Sequence, residues 1–404
     1  MPTRMKYLLL VPDGAAGHKD DTPEGKTCLQ LAKTPNMDKL AKLGRCGKLK
    51  TIPEGMPCGS EIAILSVLGY NPKECFTGRG ALEAPGLGVN LEKDDIAFRC
   101  NLITEENGKI KDYSAGHISN EESAELIRLI DLKLGKPNIK FYPGVSYRHL
   151  LVLKGNDFSA YLETIPPHNA IGRKIVDVLI NPKHDGAEKT ANLLNKMIFD
   201  SKLLLENHPL NRRRKETGKN PANMIWPWSP GKKPVMKTFQ ELYKLRGAAI
   251  AAVDIVFGTA IYAGLKPIKV KGATGLHDTN YEGKADAAIK ALEENDFVFV
   301  HLEAPDEAGH SGDYKLKIKT IEDFDNRLLG RILEKIDLKE TAIAVLPDHP
   351  TPIKIKNHTG EPVPFLIYNP KEKPDKVQEF NEFSAEKGSL GILEGDGFIR
   401  AFLG

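Results

Sequence analysis

The sequence predicts an α/β protein with a doubly wound, mainly parallel sheet and an inserted α+β module. Short apolar strands alternate with amphipathic helical stretches at both ends of the chain, which is typical of a parallel sheet covered by helices. The middle of the chain has a different texture, with polar loops such as NPKHDG, RRRKETGKNPAN and WPWSPGKKP. The chain has 404 residues, too many for a single hydrophobic core.

The first elements are a strand and a helix. KYLLLVPDG (6–14) predicts a buried strand, and TPNMDKLAKLG (34–44) predicts a helix, because Met37 and Leu40 have helical spacing and Gly44 is a stop signal. Near the C-terminus, DFVFVH, IKTIEDFDNRLLGRILEKI and TAIAVLPDH repeat the pattern as strand, helix and strand. These segments predict the parallel sheet.

The middle segment predicts the inserted module. Strand-like FYPGVSYRHLLVLKG (141–155) lies between helical ELIRLIDLKLG and the long helical stretch GAEKTANLLNKMIFDSKLLLENH. We therefore predict one α/β domain from residues 1–112 and 246–404, interrupted by an insert of residues 113–245.

The composition of the chain favours some classes of function over others. Hydrophobic content of 41% with 27% charged residues is ordinary for a globular enzyme, and a net charge of +3 gives no case for nucleic-acid binding. Five cysteines without C-x-x-C spacing indicate reduced thiols and a cytoplasmic protein. The apolar stretch 247–264 predicts a tightly packed buried helix rather than a membrane span, because Asp254 interrupts it.

Carboxylates and imidazoles follow three separate predicted strands. Ligands of open α/β sheets bind outside the carboxyl ends of the strands, and Zn²⁺ and Mn²⁺ accept both side-chain types. Each residue alone has a plainer interpretation as a turn former, a helix cap or a surface histidine, but together they predict a dinuclear metal site. The candidate ligands are Asp13, Asp306, His310, Asp348, His349 and His358.

Ser60, in MPCGSEIAILSVLGY (56–70), is a candidate nucleophile. It stands where a helix should begin, so an ordinary N-cap role is the alternative. Metal coordination activates a serine hydroxyl that is otherwise a weak nucleophile. No phosphate-binding P-loop, dinucleotide-binding glycine motif or G-x-S-x-G elbow is present in the sequence. The pattern therefore favours phosphoryl chemistry at a metal-activated serine.

A series of motifs in the same order resembles a known family. The motifs are GKTCLQLAKTPNMDKLAKLG, CGSEIAILSVLGYNP, FTGRGALEAPGLGV, DDIAFRCNL, AGHIS, HPLNRRRKETGKNPAN, VKGATG, PDEAGHSGD and PDHPTP. They resemble the alkaline phosphatase superfamily and, more closely, the archaeal-type branch of cofactor-independent phosphoglycerate mutases. The resemblance covers nearly the whole chain and implies an alkaline-phosphatase-like fold with an inserted lid domain.

The resemblance also implies roles for the candidate residues. Asp306, His310 and His358 would hold one metal ion, and the second would be held by Asp13, Asp348, His349 and Ser60. Ser60 would accept the phosphoryl group and return it to the other hydroxyl of the glycerate, and the insert would keep water out. Mn²⁺ is the expected metal, and Zn²⁺, Mg²⁺ or Co²⁺ would also suit these ligands.

Basic residues are the candidate contacts for the substrate carboxylate and phosphate, because a guanidinium donates bidentately. The candidates are Arg79, Arg99, Arg148, Arg212, Arg214 and Lys271. A solvated basic loop is the alternative for NRRRK, and structural roles are predicted for His117 and His149. The expected partner is a small phosphorylated substrate, without nucleic acid or membrane; the oligomeric state is left open.

Two segments depart from the archaeal mutases. CGSEIA and DYSAGHIS look more like a bacterial subgroup for which a homoserine kinase role has been proposed. The sequence therefore leaves open a nucleotide-dependent phosphotransferase, besides the mutase. A plain phosphatase is disfavoured by the large insert, and a non-catalytic binding protein by the complete set of ligand positions.

Overall fold

The computed structural model describes residues 5–404. They form two compact units: one comprises the described residues up to Phe76 together with Met236–Gly404, and the other is Thr77–Val235. The insert predicted at 113–245 starts and ends later than this second unit. The reason for the earlier start is a long strand at Ile96–Glu106, which pairs with strands on both sides inside the second unit.

The strands and helices alternate through most of the described chain. The strands are β1 (Lys6–Pro12), β2 (Arg45–Leu49), β3 (Ile96–Glu106), β4 (Lys109–Asp112), β5 (Ile139–Tyr142), β6 (Arg148–Leu153), β7 (Leu162–Glu163), β8 (Asn181–Pro182), β9 (Met224–Lys232), β10 (Gly247–Ala251), β11 (Lys266–Lys269), β12 (Phe297–Leu302), β13 (Thr341–Val345), β14 (Val363–Tyr368) and β15 (Ile392–Leu393). The α-helices are α1 (Cys28–Leu31), α2 (Pro35–Leu43), α3 (Ser60–Val67), α4 (Pro72–Cys75), α5 (Arg79–Glu83), α6 (Asn120–Leu134), α7 (Glu188–Leu205), α8 (Pro209–Glu216), α9 (Phe239–Tyr243), α10 (Asp254–Tyr262), α11 (Tyr281–Glu294), α12 (Ala304–Ser311), α13 (Tyr314–Asp323), α14 (Arg331–Leu333), α15 (Glu382–Ala385) and α16 (Gly397–Leu403).

The first unit is built on an eight-stranded sheet in the order β11-β10-β12-β1-β13-β14-β2-β15. The five strands from β11 to β13 are parallel, and β14 runs antiparallel to both of its neighbours. β1 is apolar and buried from Leu8 onward, as a central parallel strand covered on both faces should be. The predicted α/β class with a mainly parallel sheet is confirmed.

The segment 247–264 is not one helix, so that prediction was wrong. Its first residues form β10, which pairs in parallel with β11 and β12, and α10 begins only at Asp254. The physical reason is the position of Asp254, which we interpreted as an interruption of a single helix. A carboxylate is favourable in the first turn of a helix, and Asp254 therefore starts α10 after a small-residue strand.

The second unit has its own sheet and core. β3 is the long central strand, antiparallel to β4, β6 and β9, and β5 extends the sheet beyond β6. Helices α6 and α7 pack on one face, where Phe98, Leu151 and Trp226 belong to a large buried apolar cluster. The α+β character that the sequence predicts for this region is therefore present in the structure.

None of the helices within residues 5–404 combines the length and the apolar composition that a bilayer-spanning segment needs.

Candidate metal centre and active site

The candidate ligands lie beyond the carboxyl ends of three neighbouring strands, with β1 between β12 and β13. Asp13 directly follows β1, and the Asp348–His349 pair follows β13. α12 starts just after β12 and carries Asp306 and His310 one turn apart, which places both on one face of the helix. These two residues therefore lie on a short helix and not in a glycine-flanked loop.

Gly14 allows the loops after these strands to approach each other. Its φ of +62° lies in the left-handed region, and a Cβ at this position would stand 2.6 Å from both Asp306 Oδ1 and Thr351 Oγ1. A side chain is therefore excluded on steric grounds and by backbone conformation. The Gly14 amide also donates to Asp348 Oδ1 at 3.2 Å, which joins the loop after β1 to the loop after β13.

Asp13, Asp348 and His349 form the first group of candidate ligands, with ligand atoms within 4.8 Å of one another. Asp348 Oδ1 is held by the amides of Gly14 and His349. Within residues 5–404, Asp348 Oδ2 and Asp13 Oδ1 have no hydrogen-bond partner although both are buried. His349 Nε2 lies 3.4 Å and 3.5 Å from these two oxygens. Two unpaired carboxylate oxygens and an imidazole nitrogen therefore converge, which is a donor set that fits a divalent cation.

Asp306, His310 and His358 form the second group, and the ligand atoms of Asp306 and His358 also lie within 4.8 Å of His349. Asp306 Oδ2 lies 3.2 Å from His310 Nε2, and Asp306 Oδ1 lies 3.4 Å from His358 Nε2. The Nδ1 atoms of the two histidines face backbone carbonyls, of Lys356 at 3.0 Å and of Cys58 at 3.2 Å. Carbonyl oxygens only accept, so Nδ1 carries the proton and Nε2 is left as the ligand atom.

The Thr351 hydroxyl orients the His349 ring in the same way as the two carbonyls orient His310 and His358. Thr351 Oγ1 donates to Asp306 Oδ1 at 2.5 Å and lies 3.3 Å from His349 Nδ1. The hydroxyl can accept from His349 Nδ1–H while donating to Asp306. Thr351 therefore fixes one member of each group, and His349 Nε2 points toward the carboxylates.

The electrostatics of the cluster indicate a need for positive charge. Burial, together with the nearby carboxylates of Asp348 and Asp306, raises the pKa of Asp13 well above its ordinary range. Burial alone would lower the pKa of His310, but its interaction with Asp306 raises it to about 9. Buried like charges are costly unless they are paired or neutralised. Bound cations would neutralise the charge of these carboxylates.

Ser60 is the first residue of α3, and Gly59 is its N-cap. The N-cap alternative for Ser60 is therefore wrong. The Ser60 hydroxyl lies 3.5 Å from Asp13 Oδ2 and 3.2 Å from His349 Nε2, so it faces the first group of ligands at the start of an eight-residue helix.

Polar residues that we did not predict lie behind the candidate ligands. Lys317 is fully buried, and its Nζ donates to the carbonyls of Ala16 at 2.9 Å and Thr351 at 2.8 Å, so it joins two of the ligand-bearing loops. Lys284 and His301 are also fully buried on the β12 side. Lysines in helices resemble a solvated face in sequence, and no signal in the sequence distinguishes these two from their exposed neighbours.

Three of the candidate substrate residues lie around one buried carboxylate in the second unit. Glu83 accepts from Arg79 Nε at 2.9 Å and from Arg99 Nη1 at 2.5 Å. Burial opposes ionisation of Glu83, but the arginines, including Arg148, lower its pKa. The Arg99 guanidinium also lies over the Trp228 ring, 5.5 Å from its centroid. Glu83, which we did not single out, therefore orients the arginines.

The remaining candidate residues lie elsewhere. Arg214 is buried on α8 and donates to Asn220 O, Ala115 O and Glu122, so each of its three nitrogens makes a hydrogen bond within the unit. Arg212 is exposed on α8, and Lys271 is exposed in the loop after β11.

The two histidines for which structural roles were predicted belong to the second unit. His149 is buried, with Nδ1 accepting from the Gly144 amide at 3.0 Å. His117 is exposed.

Comparisons with known proteins agree on one family. Residues 41–211 match the sequence profile of 2,3-bisphosphoglycerate-independent phosphoglycerate mutase. A protein of that name from Methanosarcina barkeri is 50% identical over 398 residues, covering 98% of each chain. A solved structure of a Pyrococcus horikoshii protein has a TM-score of 0.85 and 34% identity over 99% of this chain and 97% of that one. A cofactor-independent phosphoglycerate mutase from Thermoplasma acidophilum has a TM-score of 0.67 and 29% identity over 99% of both chains.

Proposed function

Because this chain belongs to the family of 2,3-bisphosphoglycerate-independent phosphoglycerate mutases and is therefore an isomerase, we propose that it interconverts 2-phosphoglycerate and 3-phosphoglycerate through a phosphoserine on Ser60. The observation that carries the proposal is the position of the Ser60 hydroxyl, within 3.5 Å of both Asp13 and His349. A nucleophile at the edge of a cluster of metal-ligand side chains suits phosphoryl transfer.

The proposed reaction has two transfers of the same phosphoryl group. Ser60 Oγ attacks phosphorus, the bond from phosphorus to the substrate oxygen breaks, and the Ser60 proton leaves toward Asp13 Oδ2. Asp13 passes this proton to the released glycerate oxygen. After the glycerate reorients, its other hydroxyl attacks the phosphoserine and gives its proton to Asp13, the bond from phosphorus to Ser60 Oγ breaks, and Asp13 returns the proton to Ser60. Atoms and charge balance without a second phosphorylated molecule.

The residues of the cluster suit two divalent cations, and Mn²⁺ is the expected metal for mixed oxygen and nitrogen ligands. Asp13, Asp348 and His349, with Ser60, would hold one, and Asp306, His310 and His358 the other. Such ions lower the pKa of a bound hydroxyl and neutralise charge on attacking and leaving oxygens. The chain's contribution is to fix the ligand atoms through Gly14, Thr351 and the two backbone carbonyls described above.

The arginines around Glu83 are the proposed contacts for the anionic groups of the substrate. A guanidinium that is already oriented by a carboxylate loses little freedom on binding. Arg79 and Arg148 are each partly exposed, whereas Arg99 is almost fully buried and stacked on Trp228. The lid role of the second unit and a cytoplasmic location stay predictions.

The test is a coupled assay with purified protein, Mn²⁺ and 3-phosphoglycerate, without 2,3-bisphosphoglycerate. Enolase converts the 2-phosphoglycerate formed to phosphoenolpyruvate, whose absorbance is followed. We expect a steady rise that stops on chelation of the metal. A flat trace from folded, metal-loaded protein would overturn the mutase proposal, and ATP with homoserine would then be the next substrates.

Ser60→Ala tests the nucleophile in the same assay. We expect the rate to fall by at least about a thousandfold, because loss of a nucleophile has effects of this order or larger, while both metals still bind through six remaining protein ligands. Ser66→Ala is the matched control, since its hydroxyl lies on the same helix but donates to Thr51 O. Near-normal turnover of Ser60→Ala would contradict the phosphoserine scheme.

A further inference from the structure

His301 is a polar side chain beside the candidate metal centre that the proposed mechanism does not use. It has 0% exposure, and neither ring nitrogen makes a hydrogen bond of good geometry in the part of the chain that the structure describes. Its Nε2 lies 3.3 Å from Asp13 Oδ2. A buried imidazole rarely lacks partners, so its location against a candidate metal ligand needs an explanation.

The register of the sheet puts His301 beside Asp13. β1 and β12 are parallel, with Val11 opposite His301, and the Asp13 amide donates to Leu302 O at 2.9 Å. Residues two apart on a strand share a face, so Asp13 lies on the Val11 side of the sheet, next to the His301 ring. The contact is set by strand pairing and does not depend on a flexible loop.

The two oxygens of Asp13 have different neighbours. Oδ1 is the unpaired oxygen that converges with His349 Nε2, 3.5 Å away. Oδ2 lies between His301 Nε2 and the Ser60 hydroxyl. Resting on the proposed function, we infer that His301 is a positioning residue: its Nε2–H holds Asp13 Oδ2, so that Oδ1 stays turned toward the metal and Oδ2 stays beside Ser60.

The surroundings of the ring support this assignment. A neutral imidazole has a single N–H, on one of its two ring nitrogens. Asp13 Oδ2 is the acceptor that lies near one of its nitrogens, which favours the proton on Nε2. The His301 carbonyl accepts from the fully buried Lys284 Nζ at 2.9 Å, and this bond fixes the backbone that carries the ring.

Residues that hold a metal ligand from behind contribute measurably to metal affinity, commonly 10- to 100-fold. His301→Met removes the donor and keeps a side chain of similar length. Mn²⁺ binding at the site formed by Asp13, Asp348 and His349 (the Asp13 site) should therefore weaken by about this factor. His301→Gln restores an N–H at a similar reach and should recover most of the affinity. A general packing defect would not distinguish the two variants in this way.

The experiment is a Mn²⁺ titration of the purified full chain without substrate, with stoichiometry and affinity determined at equilibrium. We expect the unaltered protein and His301→Gln to bind two ions. We expect His301→Met to bind one of its two ions more weakly. Phe297→Leu is the matched control, because Phe297 is equally buried on β12 but far along the strand from His301. Unchanged affinity in His301→Met would overturn the inference and leave the proposed function intact.

A second measurement decides the matter if the variants do not fold. In a crystal structure of the unaltered protein with Mn²⁺ bound, we expect His301 Nε2 within hydrogen-bond distance of Asp13 Oδ2, at about 3 Å. An Asp13 Oδ2 or a His301 Nε2 bonded directly to the ion would overturn the inference. Failure of the unaltered protein to bind Mn²⁺ at all would overturn the proposed function, and the inference with it.

Discussion

Each candidate ligand has one polar atom that the protein fixes and another that is left for a cation. Asp348 shows this most clearly, because two backbone amides hold Oδ1 while the buried Oδ2 has no partner within residues 5–404. The histidines follow the same rule, with Nδ1 bound to a carbonyl or hydroxyl and Nε2 directed to the carboxylates. The protein thus determines which atom of each residue is available for binding.

Asp348→Asn tests this division at a single residue. We expect Mn²⁺ affinity at the Asp13 site to fall by about tenfold or more, because one anionic ligand of the site is lost while the size of the side chain is kept. The measurement is Mn²⁺ stoichiometry and affinity at neutral pH. Ser66→Ala, outside the cluster, should bind both ions as the unaltered protein does. Unchanged binding by Asp348→Asn would remove this residue from the proposed site.

Among the elements, the turn after β4 depends on one carboxylate. Asp112 accepts from Ser114 N and Oγ, Gly116 N and Asn220 Nδ2 at distances of 2.6–2.8 Å. The turn places Ala115 and His117 at φ of +49° and +48°, a conformation that residues other than glycine rarely adopt. The hydrogen bonds to Asp112 therefore offset the backbone strain in the DYSAGHIS segment.

Asp112→Ala should destabilise the protein in a pH-dependent way. Burial alone would raise the pKa of Asp112, but the four hydrogen bonds lower this pKa below its ordinary 3.8. A lowered carboxyl pKa contributes stability that is present above the unfolded-state pKa and is lost as pH falls through the folded-state pKa. We expect a loss of about 1–3 kcal/mol at pH 7, measured by urea unfolding, and a smaller difference below about pH 4.

The exposed Asp157 in the same unit is the control for Asp112. Asp157→Ala should leave the free energy of unfolding within about 0.5 kcal/mol at either pH. A difference between Asp112→Ala and the unaltered protein that is equal at pH 7 and pH 3 would show that the carboxylate charge is not the cause.

For the whole molecule, the candidate ligands connect parts of the chain that are far apart in sequence. Asp13 lies near the N-terminus, Asp306 and His310 follow β12, and the last ligands follow β13. Lys317 joins the loops of Ala16 and Thr351 from behind. An ion bound in the proposed way would link the same segments only in the folded state.

Metal removal should therefore lower the stability of the protein. We expect the thermal unfolding temperature to fall on chelation and to recover with Mn²⁺, since a ligand at a hundred times its Kd stabilises the folded state by about 2.7 kcal/mol per site. The measurement is a thermal unfolding series at increasing free Mn²⁺. Ser60→Ala should show the same rise, because it retains six protein ligands. An unfolding temperature that does not respond to chelation or to Mn²⁺ would contradict the proposed metal sites.

The sequence by itself determined the class of fold and the identity of the family. The alternation of apolar strands and amphipathic helices predicted the parallel sheet, because each period reports locally which face of an element is buried. The sequence also singled out Asp13, Asp348 and His349 at strand ends, since ligands collect there in open α/β sheets. These inferences depend on local pattern and on the order of motifs along the chain.

Only the tertiary structure decided which polar residues are buried and which atoms face one another. His301, Lys284 and Lys317 have ordinary surroundings in the sequence, and their burial follows from strand register and helix packing across hundreds of residues. The same holds for Glu83, which accepts a hydrogen bond from Arg99 because α5 packs against β3. A buried charge is stable only where distant partners satisfy it, and those partners are fixed by the fold and not by neighbours in sequence.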